Sequence, residues 1–320
     1  ADHYKTPNID ALARSGTRYT HAYTISLCGP SRAQILTGRY GFRTGGSNQD
    51  AVGEISPKNE KLIPSVLKPA GYVTTMIGKW SQFSLQPSDF GFDDYLRYAG
   101  SGAYWNTQEK VKTYVVNGEK RPLHDKEYMP DLMHRHLVDF MTKNRDRPFY
   151  AHYSLSHVHT DILPTPDSAP DSKDHYGDNV RYMDKLVGKL MAELDRLKLR
   201  EKTLVVFFGD NGTGNGRADR ATIGGRPLSG AKGSMLEGGG RVPMIVSWPG
   251  VSLPVSMPRN LSGQAQAAAA EIAVRSAARL LWVAVEPENP KSIPHYRDKI
   301  ARANYTNRRK WLAPTWIMSL

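Results

Sequence analysis

Thr203-Leu204-Val205-Val206-Phe207-Phe208-Gly209-Asp210-Asn211-Gly212 is a β-branched and aromatic run that stops on glycine, a carboxylate, an amide and a second glycine. An uninterrupted apolar strand has no polar face to offer water, which marks a parallel strand covered on both sides. Working back from it, Met183, Leu186, Val187, Leu190, Met191, Leu194 and Leu197 recur at helical spacing. That stripe is core rather than a cofactor box, and the helix ends among Lys198 to Lys202. A helix followed by a fully buried strand predicts an α/β chain with a doubly wound, mostly parallel sheet flanked by helices. Asp210 and Asn211 then sit at the carboxyl end of a strand, where open α/β sheets bind ligands. Their hard oxygens suit calcium or magnesium, and the plainer alternative is an Asn-Gly turn.

Further elements follow outward. Tyr72 to Ile77 is a β-rich run ending in Gly78-Lys79-Trp80, which puts Lys79 at a strand end, and Pro148 to Ser154 is a core strand running into Ser156-His157-Val158-His159. Thr6-Pro7-Asn8-Ile9-Asp10 opens a short helix with Ile9, Leu12 and Ala13 on one face and Gly16 as its stop. Arg18 to Thr24 reads as a strand, Leu62 to Leu67 as a helix, and Met244 to Trp248 as a strand closed by Pro249-Gly250. Leu132, Met133, His136, Leu137, Phe140 and Met141 fall on a helix, so His134 and His136 read as helix residues rather than metal ligands. Residues 99–128 are polar and turn-rich, with a hairpin at Val116-Asn117-Gly118-Glu119, and are a candidate substrate-facing insertion. Gly225 to Lys232 nearly spells a phosphate-binding loop, but it has one residue too many before the lysine and the wrong strand-loop-helix context.

The single cysteine lies in Ser26-Leu27-Cys28-Gly29-Pro30-Ser31-Arg32-Ala33-Gln34-Ile35-Leu36-Thr37-Gly38-Arg39. Pro30 suits a first helical position and Gly38 an end, so Cys28 is expected in the turn just before a short helix, within a turn of Arg32. A lone free cysteine is ordinarily a small buried hydrophobe. With one cysteine no intramolecular disulfide forms. The 320 residues are 39% hydrophobic, enough for one large domain or a domain with an appendage. The formal charge of +12 favours anionic ligands. No zinc-finger spacing, RNP-like string or long basic block points to nucleic acid. No apolar run reaches the ~20 residues that span a bilayer. The chain opens on Ala-Asp-His-Tyr-Lys, without an initiator Met or a signal peptide, which reads as a processed protein or a fragment and leaves the compartment open.

Cys28, Pro30, Ser31, Arg32, Leu36, Thr37 and Gly38 match CxPSRxxxLTG, and in this the chain resembles the type I, formylglycine-dependent sulfatases of the alkaline phosphatase-like superfamily. The Thr6 to Asp10 segment, Gly78-Lys79-Trp80, the Pro87 to Asp93 segment, Asp210-Asn211-Gly212 and Gly230 to Pro243 (GxKGSxxEGGxRVP) extend the resemblance over about residues 6 to 257. The resemblance implies that a maturation enzyme oxidises Cys28 to formylglycine. A hydroxyl of the hydrate would attack sulfur and displace the alcohol or phenol, and the second hydroxyl would then expel sulfate. It implies Cys28, Arg32 and His157 as catalytic residues, His157 protonating the leaving oxygen with His159 as the alternative. Lys79 and Lys232 would bind sulfate; Asp210, Asn211 and the group made from Cys28 would hold Ca2+, with Mg2+ as the alternative. Arg241 and Glu237 are expected to brace the loop.

Two departures qualify the match. The family's first strand, whose Asp-Asp pair supplies metal ligands, should lie upstream of Thr6, where only five residues and one acid, Asp2, are present. The family's usual histidine after GKW is Ser81 here. The expected organisation is therefore a sulfatase-like catalytic domain over 1–257, lacking its first strand, and a divergent or truncated segment over 258–320, alanine-rich and helix-prone from Gln264 to Leu281. The expected function is hydrolysis of a small-molecule or carbohydrate sulfate ester. The rival readings are a phosphodiesterase or phosphonate monoester hydrolase of the same superfamily, and a non-catalytic binder of sulfated ligands. A periplasmic or secreted location follows from the resemblance alone.

Overall fold

The computed structural model describes residues 3–80, 83–100, 102–107, 112–159, 162–250, 256–261 and 279–285. Along the chain run α1 (Pro7–Arg14), β1 (Thr17–Tyr23), α2 (Cys28–Thr37), α3 (Gly41–Thr44), α4 (Ile63–Leu67), β2 (Val73–Lys79), β3 (Asp94–Tyr98), β4 (Thr113–Val116) and β5 (Glu119–Pro122). They are followed by α5 (Met129–Lys143), β6 (Phe149–Leu155), α6 (His175–Arg196), β7 (Thr203–Gly209), β8 (Thr222–Ile223), β9 (Arg226–Pro227), α7 (Glu237–Gly240), β10 (Arg241–Ser247), β11 (Ser256–Leu261) and β12 (Arg279–Val285). Strands β8 and β9 form a small ribbon. The rest make one sheet in the order β11-β1-β10-β7-β12-β6-β2-β3-β4-β5.

The centre of the sheet, from β7 through β12, β6 and β2 to β3, is parallel throughout, and β10 and β4 run against it on either side. The alternation of side chains along a strand sends alternate residues to opposite layers. From β6, Phe149, Ala151, Tyr153 and Leu155 join α1, α5 and α6 in one core, while Tyr150 joins α2 and the 55–92 segment in the other. From β7, Val205 and Phe207 enter the first core and Leu204, Val206 and Phe208 the second. This two-sided burial is why the Thr203 to Phe208 run contains no charge. Helix α6 begins at His175, well before the apolar stripe, and Asp184 on it accepts from the Asn8 and Ile9 N–H groups at 3.2 and 2.8 Å. The start of α1 is thus capped by another helix, since Thr6 makes no side-chain cap.

Strands β6 and β7 are consecutive elements joined across α6, yet they are not neighbours. The slot between them is taken by β12, which pairs in parallel with both: Val283 lies opposite Tyr153 on one side and Phe207 on the other. Arg279 to Leu281, expected at the end of a helix, are therefore the start of a strand. Leu280-Leu281-Trp282-Val283-Ala284-Val285 is a run of strand length, and it meets two strand flanks that both need ladder partners. Strand β11 adds to the β1 edge, so the sheet continues past the division expected at residue 257. All described residues fall within a unit spanning Ala1–Asn289; a second unit, Pro290–Leu320, lies outside them, as do Asp2, Ser81 and residues 264–278 of the expected helix.

The hairpin at Asn117-Gly118 forms between β4 and β5 and extends the sheet beyond β3. His136 Nε2 donates to Asp94 Oδ2 at 2.8 Å and His134 is 8% exposed on α5, both as helix residues.

The central position of β12 makes a prediction. A chain ending after Asn289 keeps a cooperative thermal transition by circular dichroism. A chain ending at residue 278 opens two ladders at the middle of the sheet and loses most of a domain's ~5–15 kcal/mol of stability, so that its transition disappears.

Candidate active site

Strands β1, β2, β6, β7 and β12 all deliver their carboxyl ends to one edge of the sheet. The register fixes this: Gly78 lies opposite Ser154, and Val285 opposite both Leu155 and Gly209. Gly78 has φ of 101°, and a Cβ there would stand 2.1 Å from the Ser154 carbonyl oxygen. Only glycine lets β2 and β6 close at this point, one residue before Lys79.

Cys28 is the first residue of α2 rather than a residue of the turn before it, and Pro30 lies at the third position. The first four N–H groups of a helix have no intrahelical acceptor, so proline is tolerated throughout that turn. Gly38 ends the helix in the left-handed conformation, φ 66°. The entry turn is pinned by Ser31, whose Oγ accepts from the Ile25 N–H at 3.1 Å and donates to the Ile25 carbonyl at 3.2 Å. Leu27 has no side chain able to cap, and the Gly29 N–H is instead taken by Gln49 Oε1 at 2.7 Å. The Nε2 of Gln49 donates to Cys28 Sγ at 3.2 Å.

Arg32, one turn along the same helix, enters the centre of the edge. Its Nε donates to Asp210 Oδ2 at 2.9 Å, and its Nη1 donates to Ser154 Oγ at 2.8 Å and to the Lys79 carbonyl at 3.2 Å. One guanidinium thus joins α2, β2, β6 and the end of β7. Both members of the ion pair are withdrawn from water, with side-chain exposures of 3% and 0%. Lys79 and Lys232 are buried too. Lys232 reaches the edge through its loop: its N–H donates to Thr213 O and the Gly233 N–H to Ser26 O, both at 2.8 Å. A Cβ on Gly212 would stand 1.8 Å from the Gly238 carbonyl oxygen, so the turn after Asn211 and this loop touch backbone to backbone. Glu237 and Arg241 brace the loop by an ion pair at 2.5 Å, and Arg241 also donates to Thr20 O.

Asn211 tests the fit of a cation. Its Nδ2 donates to the Gly212 carbonyl at 2.9 Å, while its Oδ1 is buried and accepts no hydrogen bond. An orphaned buried acceptor costs about 1–3 kcal/mol, and beside the Asp210 carboxylate a hard cation would relieve it. The pair is therefore an oxygen-donor set of the right kind. Among the described residues no group of three or more His, Cys, Asp or Glu side chains is placed to hold a metal ion.

His157 lies in the loop after β6 and is fully buried among the rings of Tyr104, Tyr128 and Tyr182, with Tyr128 Oη 3.2 Å from its Nε2. Burial pushes its pKa down to about 3, so the imidazole is neutral near pH 7. Tyr104 holds the loop by donating to the Ser156 and His159 carbonyls at 2.9 Å each. His152, one alternation before Ser154, accepts or donates at Nδ1 to Tyr150 Oη at 3.0 Å; burial and then the Arg32 charge push its pKa to about 3. Ser154 and His152 share the face of Tyr150, and strand alternation alone could have placed them beside α2. Gln49, in a loop twenty-one residues beyond Cys28, had no signal in the sequence.

A sulfatase family model matches residues 1–272. Over 77% of its length the chain is 31% identical to N-acetylgalactosamine-6-sulfatase of Canis lupus familiaris, covering 53% of that protein. Over 79% it is 32% identical to arylsulfatase G of Rattus norvegicus, covering 56%. Among solved structures, Ps i-CgsB in complex with k-i-k-neocarrahexaose is similar with a TM-score of 0.73 and 28% identity, over 85% of this chain and 66% of that one. The chain thus spans about half the length of the curated relatives it matches. With the family model covering most of its residues, the chain belongs to the sulfatase family.

Proposed function

We propose that this chain is the catalytic portion of a sulfuric ester hydrolase acting through residue 28, with a carbohydrate sulfate as its substrate class. The observation that carries this reading is the convergence of Cys28, the Arg32–Asp210 pair, Lys79 and the Lys232 loop on one sheet edge. The carbohydrate class is supported by relatives named for, or crystallised with, sugars.

Formylglycine made from Cys28 would supply an oxygen nucleophile at the start of α2, where the helix dipole favours an anion. A divalent cation held by Asp210 and Asn211, with calcium the first choice, would add Lewis acidity beside the sulfate oxygens. The chain's own cations do the remaining electrostatic work. Arg32, Lys79 and Lys232 are already desolvated, so their attraction for sulfate oxygens is weakly screened and needs little reorganisation as charge moves to the leaving group. Asp210 fixes the guanidinium in place. His157 is the group proposed to protonate the leaving oxygen. In the free chain it is neutral, so it takes up its proton together with the anionic ester, whose charge offsets the burial that keeps the ring uncharged.

Co-production with a formylglycine-generating enzyme is expected to replace the sulfur of Cys28 by an aldehyde oxygen, seen by mass in the peptide covering residues 18–32. Converted protein then hydrolyses an aryl sulfate, faster with added calcium. Unconverted Cys28 together with no turnover would defeat the proposal. Cys28→Ala is expected to abolish turnover, and Lys79→Ala or Lys232→Ala to lower kcat by about 10²–10³-fold.

The histidines set a pH dependence whose sign is fixed. Folded values near 3 lie below the ordinary value of about 6.5. The neutral rings therefore stabilise the fold fully above about pH 6.5, and that contribution is lost as pH falls toward 3. Each is expected to cost about 2 kcal/mol between pH 7 and pH 5, read by urea unfolding, and His157→Gln removes its share. The same variant is expected to lower kcat on an alkyl sulfate by about 10²-fold.

A further inference from the structure

We infer that Gln49 is a positioning residue for the reactive side chain at position 28, a role that rests on the proposed function of Cys28. The geometry is two hydrogen bonds from one carboxamide. Gln49 Oε1 accepts the Gly29 N–H at 2.7 Å, and Nε2 donates to Cys28 Sγ at 3.2 Å. The first bond decides the orientation of the amide. A backbone N–H can only donate, so the oxygen must face Gly29 and the NH2 group must face residue 28.

Gln49 thereby does what the residue before the helix cannot. Leu27 stands at the N-cap position with extended backbone and no capping atom. The N–H of the second helical residue would be left without an acceptor, and Gln49 supplies one from a separate loop. That loop is itself fixed: Asn48 Oδ1 accepts from the Asp50 and Ala51 N–H groups at 3.0 and 2.9 Å, an Asx-type turn that leaves little freedom to its neighbour. The α2 terminus and the 48–51 turn are therefore locked together through one side chain, and its NH2 group is aimed at the γ-atom of residue 28.

For chemistry this adds a neutral hydrogen-bond donor at residue 28. The Nε and Nη1 groups of Arg32 are turned to Asp210, Ser154 and the Lys79 carbonyl. The Gln49 N–H is a neutral donor at the nucleophile. It holds the γ-atom in one rotamer, and it can hydrogen-bond an oxygen there as readily as sulfur.

Three variants separate positioning from simple capping. Gln49→Glu keeps an acceptor for Gly29 and removes the donor; Gln49→Ala removes both; Cys28→Ala removes the γ-atom. In the unconverted, 15N-labelled full chain, Cys28→Ala is expected to shift the Gln49 carboxamide resonances, assigned by their loss in Gln49→Glu. In the converted enzyme, Gln49→Glu is expected to lower kcat on an aryl sulfate at least tenfold, with an unchanged melting temperature. Gln49→Ala is expected to lower kcat and the melting temperature together. A Gln49 resonance that ignores Cys28→Ala, or Gln49→Glu with wild-type kcat, overturns the inference. The resonance test needs no turnover, so a converted wild-type chain that is inactive counts against the proposed function, while the resonance shift still decides the contact.

Discussion

The ion pair between Arg32 and Asp210 is the interaction through which the rest of the site is assembled. It is buried at both ends, and burying two charges costs several kcal/mol per ion before their attraction is counted. An apolar pair of similar volume would hold the sheet edge as well or better. What an apolar pair could not do is reach four elements at once: the guanidinium ties α2 to Asp210 after β7, Ser154 on β6 and the carbonyl of Lys79 at the end of β2. Each of these residues sits where a parallel strand ends, so the pair registers the strand ends against the helix that begins with Cys28. Asp210 balances one positive charge, and Lys79 and Lys232 bring two more into the same edge. The balance favours an anion.

That edge depends in turn on a strand from late in the sequence. β12 lies between β6 and β7, and without it the His157 loop and Asp210 would belong to two half-sheets with no ladder between them. The connection across α6 is long enough to leave room for one strand, and the chain fills the slot from the far end of the sequence. The geometry of this edge rests on a ladder whose partners lie more than a hundred residues apart on one side and about seventy-five on the other. Such long-range pairings form late and slowly.

What could be read in the sequence follows from how local each signal is. The Thr203 to Phe208 run, the α6 stripe, the Asn117-Gly118 turn and the Gly38 helix stop are decided within a few residues, and the structure has each of them. The start of α2 shifted to Cys28 because a proline in the first turn marks that turn and not one position in it. Arg279 to Leu281 were misread because alanine-rich sequence upstream favours a helix, and only the open flanks of β6 and β7 argue otherwise. The Arg32–Asp210 contact, the capping of α1 by Asp184 and the Gln49 bridge join residues far apart in the chain, and no periodicity encodes them. The motifs around Lys79, Asp210 and Lys232 bring their residues to strand ends and to a bracing loop; their chemical roles are a further step.

That step turns on how one site keeps cations charged and histidines neutral. Arg32 retains its charge in a dry environment because a carboxylate, a hydroxyl and a carbonyl surround it. His152, hydrogen-bonded to the Tyr150 hydroxyl, is pushed toward neutrality by burial first and then by the Arg32 charge. His157 lies among tyrosine rings, and burial does the same. The Arg32 guanidinium, always protonated, can attract an anion before any reaction begins, while a histidine held neutral would accept a proton only once negative charge arrives. In the proposed reaction the cations would draw the anion in, and the anion would create the condition under which the imidazole becomes an acid. The hydroxyl of Tyr128, 3.2 Å from His157 Nε2, leaves Nδ1 as the nitrogen through which that proton would pass.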